Sequence, residues 1–192
     1  NWTKSYVLYD EKSNPVYTHD INHLGGYTKT ETKLDFSATP VNVNTYHKKL
    51  STTTSDVIIK ERFEYDHVKR LKKHFHQINN EKEILLSSLD YDDIGQISVR
   101  KVGDSLQTVN YEYNIRGWLK SINDPNNLNE DLFGMNIRYN ETVQEQNPSS
   151  AYLNDKVVPK YNGNISEVDW KTAYASNEPL RRYGYIYDGL DR

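Results

Sequence analysis

The sequence predicts an all-β protein built of antiparallel β-hairpin repeats, and three observations predict it. First, the aromatic residues are 16 Tyr against 4 Phe and 3 Trp, in a chain of 192 residues that is 35% hydrophobic and 27% charged. Tyrosine favours strands and buries a ring while its hydroxyl still needs a partner. A Tyr-built interior therefore suits sheet with wet edges better than an oily helical bundle. Second, seven Tyr are followed directly by Asp or Asn: Tyr9-Asp10, Tyr65-Asp66, Tyr91-Asp92, Tyr113-Asn114, Tyr139-Asn140, Tyr161-Asn162 and Tyr187-Asp188. Random placement gives about three such pairs, and from Tyr65 onward the spacings alternate 26, 22, 26, 22 and 26. Third, apolar residues between these pairs recur at every second position, the period of a strand.

The elements follow in chain order. Residues 1–56 read as weaker repeats, with Tyr9-Asp10 the first corner, and 57–192 as clear ones within a single continuous array. Val57, Ile59, Phe63 and Tyr65 line one strand face, with Glu61 the exception; Leu85, Leu89 and Tyr91 make a second row, and Val109, Tyr111 and Tyr113 a third. Phe63-Glu64-Tyr65-Asp66, Leu89-Asp90-Tyr91-Asp92 and Tyr111-Glu112-Tyr113-Asn114 share one apolar–acidic–Tyr–Asp/Asn form, and Tyr185-Ile186-Tyr187-Asp188 keeps it with Ile for the acid. An Asp or Asn after the last ring bonds to backbone two residues on and starts a turn. Gly95 and Gly117 fall four residues after their Tyr, where a short hairpin loop needs positive φ. Leu71, Ile97 and Leu119 resume the next strand. Ser166 to Tyr174 is the best helical candidate, yet its Val168, Trp170 and Ala173 also suit a strand; 123–132 reads as a loop and 144–150 as a polar insertion.

Several function classes drop out on composition. Lys+Arg 24 against Asp+Glu 27 leaves −3, so no basic field exists for a nucleic-acid backbone. The longest aliphatic runs are triplets such as Val57-Ile58-Ile59, far short of a membrane span. No Cys is present, which removes disulfides, Cys metal sites and thiol nucleophiles.

At its corners the sequence resembles the RHS/YD-repeat family, whose phrase runs Tyr-Asp-x-x-Gly-Arg-Leu. The residues that carry the resemblance are Tyr65-Asp66-His67-Val68-Lys69-Arg70-Leu71, Tyr91-Asp92-Asp93-Ile94-Gly95-Gln96-Ile97 and Tyr113-Asn114-Ile115-Arg116-Gly117-Trp118-Leu119. Tyr161-Asn162-Gly163-Asn164-Ile165 is similar, and Tyr9-Asp10-Glu11-Lys12-Ser13-Asn14-Pro15-Val16 a weaker match. Lys69 and Ser13 depart from the family at the turn glycine, and Pro15 at the Leu position. The wording is closest to RHS proteins of Bacteroidetes-type bacteria. The resemblance implies a hairpin sheet spiralling into a hollow shell, as in contact-dependent toxins, toxin-complex cocoons and teneurins, where repeats enclose or present something and perform no chemistry. It implies a secreted or cell-surface bacterial parent, with the rest of that polypeptide and its C-terminal effector as partners. A start without Met and a stop inside Tyr187-Asp188-Gly189-Leu190-Asp191-Arg192 read as a piece of a larger protein. An unpaired sheet edge is expected to take a further β-partner.

Candidate chemistry is sparse. His19 and His23 lie in a turn-rich stretch, not on a helix that would align them for a metal. His74 and His76 share a strand face and read as solvated histidines. Asp92-Asp93, Asp188 and Asp191 read as turn formers, because adjacent strand residues point to opposite faces. The family's autoprotease phrase resembles Asp-Pro-x-Gly-Leu; Asp188-Gly189-Leu190 lacks its Pro and Asp124-Pro125-Asn126-Asn127-Leu128 its Gly. The expectation is no catalytic, cofactor or metal residue, and no enzyme. The alternative function is surface adhesion or carbohydrate binding through exposed rings such as Trp118, Trp170 and Tyr174.

Overall fold

A computed structural model describes residues 2–52, 55–143, 157–175 and 177–191. They form thirteen strands in one antiparallel sheet, in chain order, with no helix among them. The strands are β1 (Lys4–Tyr9), β2 (Pro15–Ile21), β3 (Gly25–Leu34), β4 (Pro40–Leu50), β5 (Val57–Tyr65), β6 (Leu71–Ile78) and β7 (Ile84–Tyr91), followed by β8 (Ile97–Val102), β9 (Gln107–Tyr113), β10 (Leu119–Ile122), β11 (Phe133–Arg138), β12 (Glu167–Thr172) and β13 (Arg181–Gly184). The all-β antiparallel class read from the sequence holds, and Leu71, Ile97 and Leu119 each open a strand. Ser166–Tyr174 resolves as strand β12: with Val168 and Trp170 on one face and Glu167 and Asp169 on the other, the period is 2, not 3.6. The 144–150 insertion lies outside the described residues.

The chain gathers into two compact units, residues 1–90 with 101–106 and residues 91–100 with 107–192.

In the first unit Gly26 is the single buried residue among those described. A Cβ there would stand 2.2 Å from the Lys48 carbonyl oxygen, so β3 and β4 close only over a glycine. Without an apolar interior, side-chain pairs across strands carry the stabilisation. Tyr6, His19, Lys29 and Tyr46 stand in register on β1 to β4. The His19 ring lies 5.5–6.3 Å from those of Tyr6, Tyr17 and Tyr27, and the Lys29 ammonium is 4.3 Å from the Tyr46 centroid. Further along, His74 stacks on Phe63 at 4.6 Å and its Nε2 is 2.9 Å from Glu61 Oε1. His74 is thus half-buried and partnered, not solvated as expected, and Glu61 is on the aromatic face because an imidazole meets it there.

The second unit has a small interior of a different kind. Ser166, Glu167 and Asp169 of the β12 strand region are buried, with Pro125, Leu128 and Gly134 close by in the fold's only buried apolar patch among the described residues. A Cβ on Gly134 would come 2.7 Å from the Pro125 nitrogen, which fixes the 123–132 loop against β11. Asp169 accepts from Arg182 Nε and Nη2 at 2.5 and 2.8 Å, while Arg138 Nη1 stands 2.8 Å away as an ion pair off hydrogen-bond alignment. Burial pushes the Asp169 carboxyl up, yet the bonds from Arg182 and the nearby Arg138 charge outweigh it and hold it below the usual carboxylate value.

Two predictions follow from these elements. Ala38 is at φ 62, where a Cβ is disfavoured, so Ala38→Gly is expected to stabilise by about 0.5–1 kcal/mol in urea unfolding. For Asp169 the depressed carboxyl contributes stability that is present above its ordinary value of 3.8 and is lost as pH falls through its lower folded value. Asp169→Asn should cost about 3 kcal/mol at neutral pH, since it strands buried guanidinium charge, and should flatten the acid limb of a stability–pH profile.

Candidate functional site

Six corners among the described residues share one ring, at Asp10, Asn22, Asp35, Asp66, Asp92 and Asn114. In each, the Asp or Asn N–H donates to the carbonyl four residues on at 2.8–2.9 Å, and the N–H three residues on returns to its carbonyl at 2.8–3.1 Å. Its Oδ1 then accepts the N–H groups of the second and fourth residues after it. This is a three-residue hairpin loop whose last residue is left-handed. That residue is Gly25, Gly95 or Gly117 at φ 76, 89 and 77, and Ser13, Ala38 or Lys69 at φ 64, 62 and 67. The two amide bonds to the Asx oxygen and the two to backbone carbonyls leave the loop satisfied, so a residue with a Cβ is tolerated in place of glycine. At Asp188 the same start is visible: Leu190 N–H donates to Oδ1 at 2.8 Å, Asp191 N–H to the carbonyl at 3.1 Å, and Asp191 has φ 58.

Two of the six corners, Asn22 and Asp35, have no Tyr before them and were not singled out in the sequence. Their signal is Asx followed three residues later by a small residue, in Asn22-His23-Leu24-Gly25 and Asp35-Phe36-Ser37-Ala38. The other two Tyr-Asn pairs differ. At Tyr139-Asn140, β11 ends in a bend, Val143 N–H donates to Glu167 Oε2 at 2.8 Å, and the fourth residue after Asn140 lies outside the described residues. At Tyr161-Asn162 the positive φ falls on the very next residue, Gly163 at 104, and Asn164 N–H donates to Asn162 Oδ1 at 3.1 Å, while β12 still begins five residues on, at Glu167.

The tyrosines have a task the sequence reading missed. Tyr65 Oη donates to the Pro40 carbonyl at 2.7 Å, Tyr113 to Ile97 at 3.0 Å, Tyr139 to Leu119 at 2.9 Å and Tyr187 to Ile165 at 2.9 Å. Pro40, Ile97 and Leu119 each lie five residues past the preceding corner's Asp or Asn and open its return strand. Every such tyrosine therefore latches its own hairpin to the one before. Burial raises the hydroxyl pKa of Tyr65, Tyr113 and Tyr139, which keeps the donor protonated. Tyr9, at the first corner, is 60% exposed.

Polar side chains join the corners as well. In the first unit Lys69 pairs with Asp35, and this bond together with the Thr39 N–H holds the Asp35 carboxyl far below its ordinary range. In the second unit Gln96 Nε2 donates to the Gly117 carbonyl at 2.9 Å, Arg116 Nη1 to the Tyr161 carbonyl at 3.0 Å, and Asn162 and Asn164 donate to Asp191 at 3.1 and 3.0 Å.

Beside the Asn114 corner these contacts leave a cleft of about 170 Å³. Trp118 and Tyr139 form its inner wall, their rings 5.1 Å apart and inclined at 46°, and Tyr161 and Ile115 its rim. Arg116 and Lys160 bring two cations, the Lys160 ammonium 5.0 Å from the Tyr187 ring centroid, and Asn114 and Asn140 two amides; no carboxylate among the described residues lines it. The other rings considered for sugar contact are elsewhere: Trp170 lies in β12 with the Arg181 guanidinium 4.8 Å from its ring, and Tyr174 is 92% exposed beyond that strand. Among the described residues no group of three or more His, Asp or Glu is placed to hold a metal ion; His19 is in β2 and His23 in the Asn22 turn. No protein-family model matches the chain, and no curated protein matches it.

The latch carries a direct consequence for stability. Tyr113→Phe should cost about 1 kcal/mol, one net hydrogen bond plus an unmet carbonyl, whereas Tyr9→Phe should change the urea midpoint little.

Proposed function

We propose that the chain is a non-catalytic wall segment of an RHS/YD-type shell, in a secreted or cell-surface bacterial protein whose C-terminal effector the shell encloses or presents. The observation that carries this reading is the latch from Tyr65, Tyr113, Tyr139 and Tyr187 to the stretch of chain before each. A joint of that kind needs only a tyrosine hydroxyl and a backbone carbonyl, so hairpins can be added one after another without a new core for each. The scarcity of buried apolar side chains in the first unit supports the same role, since a wall is one layer thick and both of its faces meet something other than a packed second layer. Its partners are then the remaining repeats of the same polypeptide and the segment they surround. Strand β1, exposed along its whole length, offers free backbone groups to a neighbouring strand.

Limited proteolysis of the longer natural product that carries this segment tests the proposal. The segment downstream should resist trypsin while the repeats are intact, and become cleavable when Tyr65, Tyr113 and Tyr139 are together changed to Phe. Equal digestion of the downstream segment with the repeats present or deleted would overturn the enclosing role.

A further inference from the structure

We propose that the cleft beside the Asn114 corner is a binding site for a single carboxylate-bearing sugar ring, a hexuronate, held between the Trp118–Tyr139 wall and the cations Arg116 and Lys160. This does not depend on the wall reading, because it concerns one face of one unit.

Size comes first. A cleft of about 170 Å³ is smaller than the roughly 300–1,000 Å³ of pockets that take drug-sized ligands, and suits one six-membered ring. Charge comes next. Neither Arg116 nor Lys160 makes an ion pair, and the lining holds no carboxylate, among the described residues, so these residues give the cleft net positive charge on a chain that is −3 overall. An anionic group is what such a site lacks.

The rest of the lining selects a sugar over a bare or aromatic acid. Tyr139 has spent its hydroxyl on the Leu119 carbonyl and offers the cleft only its ring. Trp118 likewise offers a face, against which the C–H side of a pyranose can pack. Asn114 commits its Oδ1 to the turn and keeps Nδ2 as a donor, and exposed Asn140 adds an amide. Amides at the edge of an aromatic wall match ring hydroxyls, which benzoate or acetate would leave unanswered.

The wall is also held in place before any ligand arrives. A Cβ on Gly163 would come 3.2 Å from the Trp118 ring, so the backbone of that loop rests directly on the indole. Arg116 is fixed by the Tyr161 carbonyl and lies with its guanidinium 5.1 Å from the Trp118 centroid. Lys160 N–H donates to the Tyr139 carbonyl at 2.6 Å, which ties the strand end to the segment that carries the second cation. Pre-set side chains lower the ordering cost of binding.

Titration of the 192-residue chain with sodium glucuronate, followed by saturation-transfer NMR and by the indole N–H shift of Trp118, tests the site. Saturable binding is expected, with glucose, acetate and benzoate each roughly tenfold weaker or worse. Lys160→Gln should weaken glucuronate roughly tenfold and leave glucose unchanged, and Trp170→Phe should alter neither. Should Lys160→Gln fail to fold by far-UV circular dichroism, added salt on the unaltered chain replaces it, and must weaken glucuronate selectively. No saturation with glucuronate, an equal response to acetate or benzoate, or tighter binding of a peptide C-terminal carboxylate would each overturn the proposal.

Discussion

A sheet that buries almost no apolar side chain must be held by what neighbouring strands do to one another, and here the decisive contact is a tyrosine hydroxyl on a backbone carbonyl. In an ordinary domain the strands are fixed by the layer packed against them. In the first unit no such layer exists, and a hairpin free of one is marginal in water. The latch solves two problems with one group. It satisfies the carbonyl where a return strand begins, just past the loop's own hydrogen bonds, and it spans from one hairpin to the next. Phenylalanine would supply the ring without the reach, which is why a thin sheet of this type is rich in tyrosine and poor in the other aromatics.

The Asp or Asn after each tyrosine makes the latch repeatable. Its carboxylate or amide oxygen gathers two backbone amides and closes the loop over three residues, so the last ring of the outgoing strand always stands at the same distance from the turn. The left-handed residue that completes the loop is glycine at some corners and Ser13, Ala38 or Lys69 at others. The strain of a Cβ there is of the same order as one net hydrogen bond, and the Asx oxygen makes two. At the Asp66 corner, where Lys69 takes the left-handed position, its ammonium also reaches Asp35 of the neighbouring corner, a contact a glycine there would lack.

Much of this was legible in the sequence, and the parts that were not share a cause. Strand starts at Leu71, Ile97 and Leu119 followed from period and spacing, because alternation is a local property. The corners at Asn22 and Asp35 escaped, because the tyrosine was read as part of the turn signal when it belongs to the link between hairpins. The turn needs only the Asx residue and a tolerated left-handed position. Tyr139 shows the converse: it latches to Leu119 although Val143 N–H, three residues past Asn140, donates to Glu167 and not to the Asn140 carbonyl. The pairing of His74 with Glu61 escaped as well, since it depends on which strands are neighbours and in what register, information no single strand carries.

The cleft arises where the repeat is least regular. At Asn162 the positive φ moves from the end of the loop to its first residue, Gly163, and the ring that elsewhere closes the corner is not formed. The backbone instead turns in against Trp118, while Tyr161 and Lys160 are carried beside Arg116. Losing that closure leaves two cations and an aromatic wall around open space, with their backbone anchors still in place. Regular corners build the sheet, and the irregular one at Asn162 leaves cations without a carboxylate partner among the described residues beside an aromatic wall, so chemistry beyond architecture belongs at the Asn114–Asn162 pair.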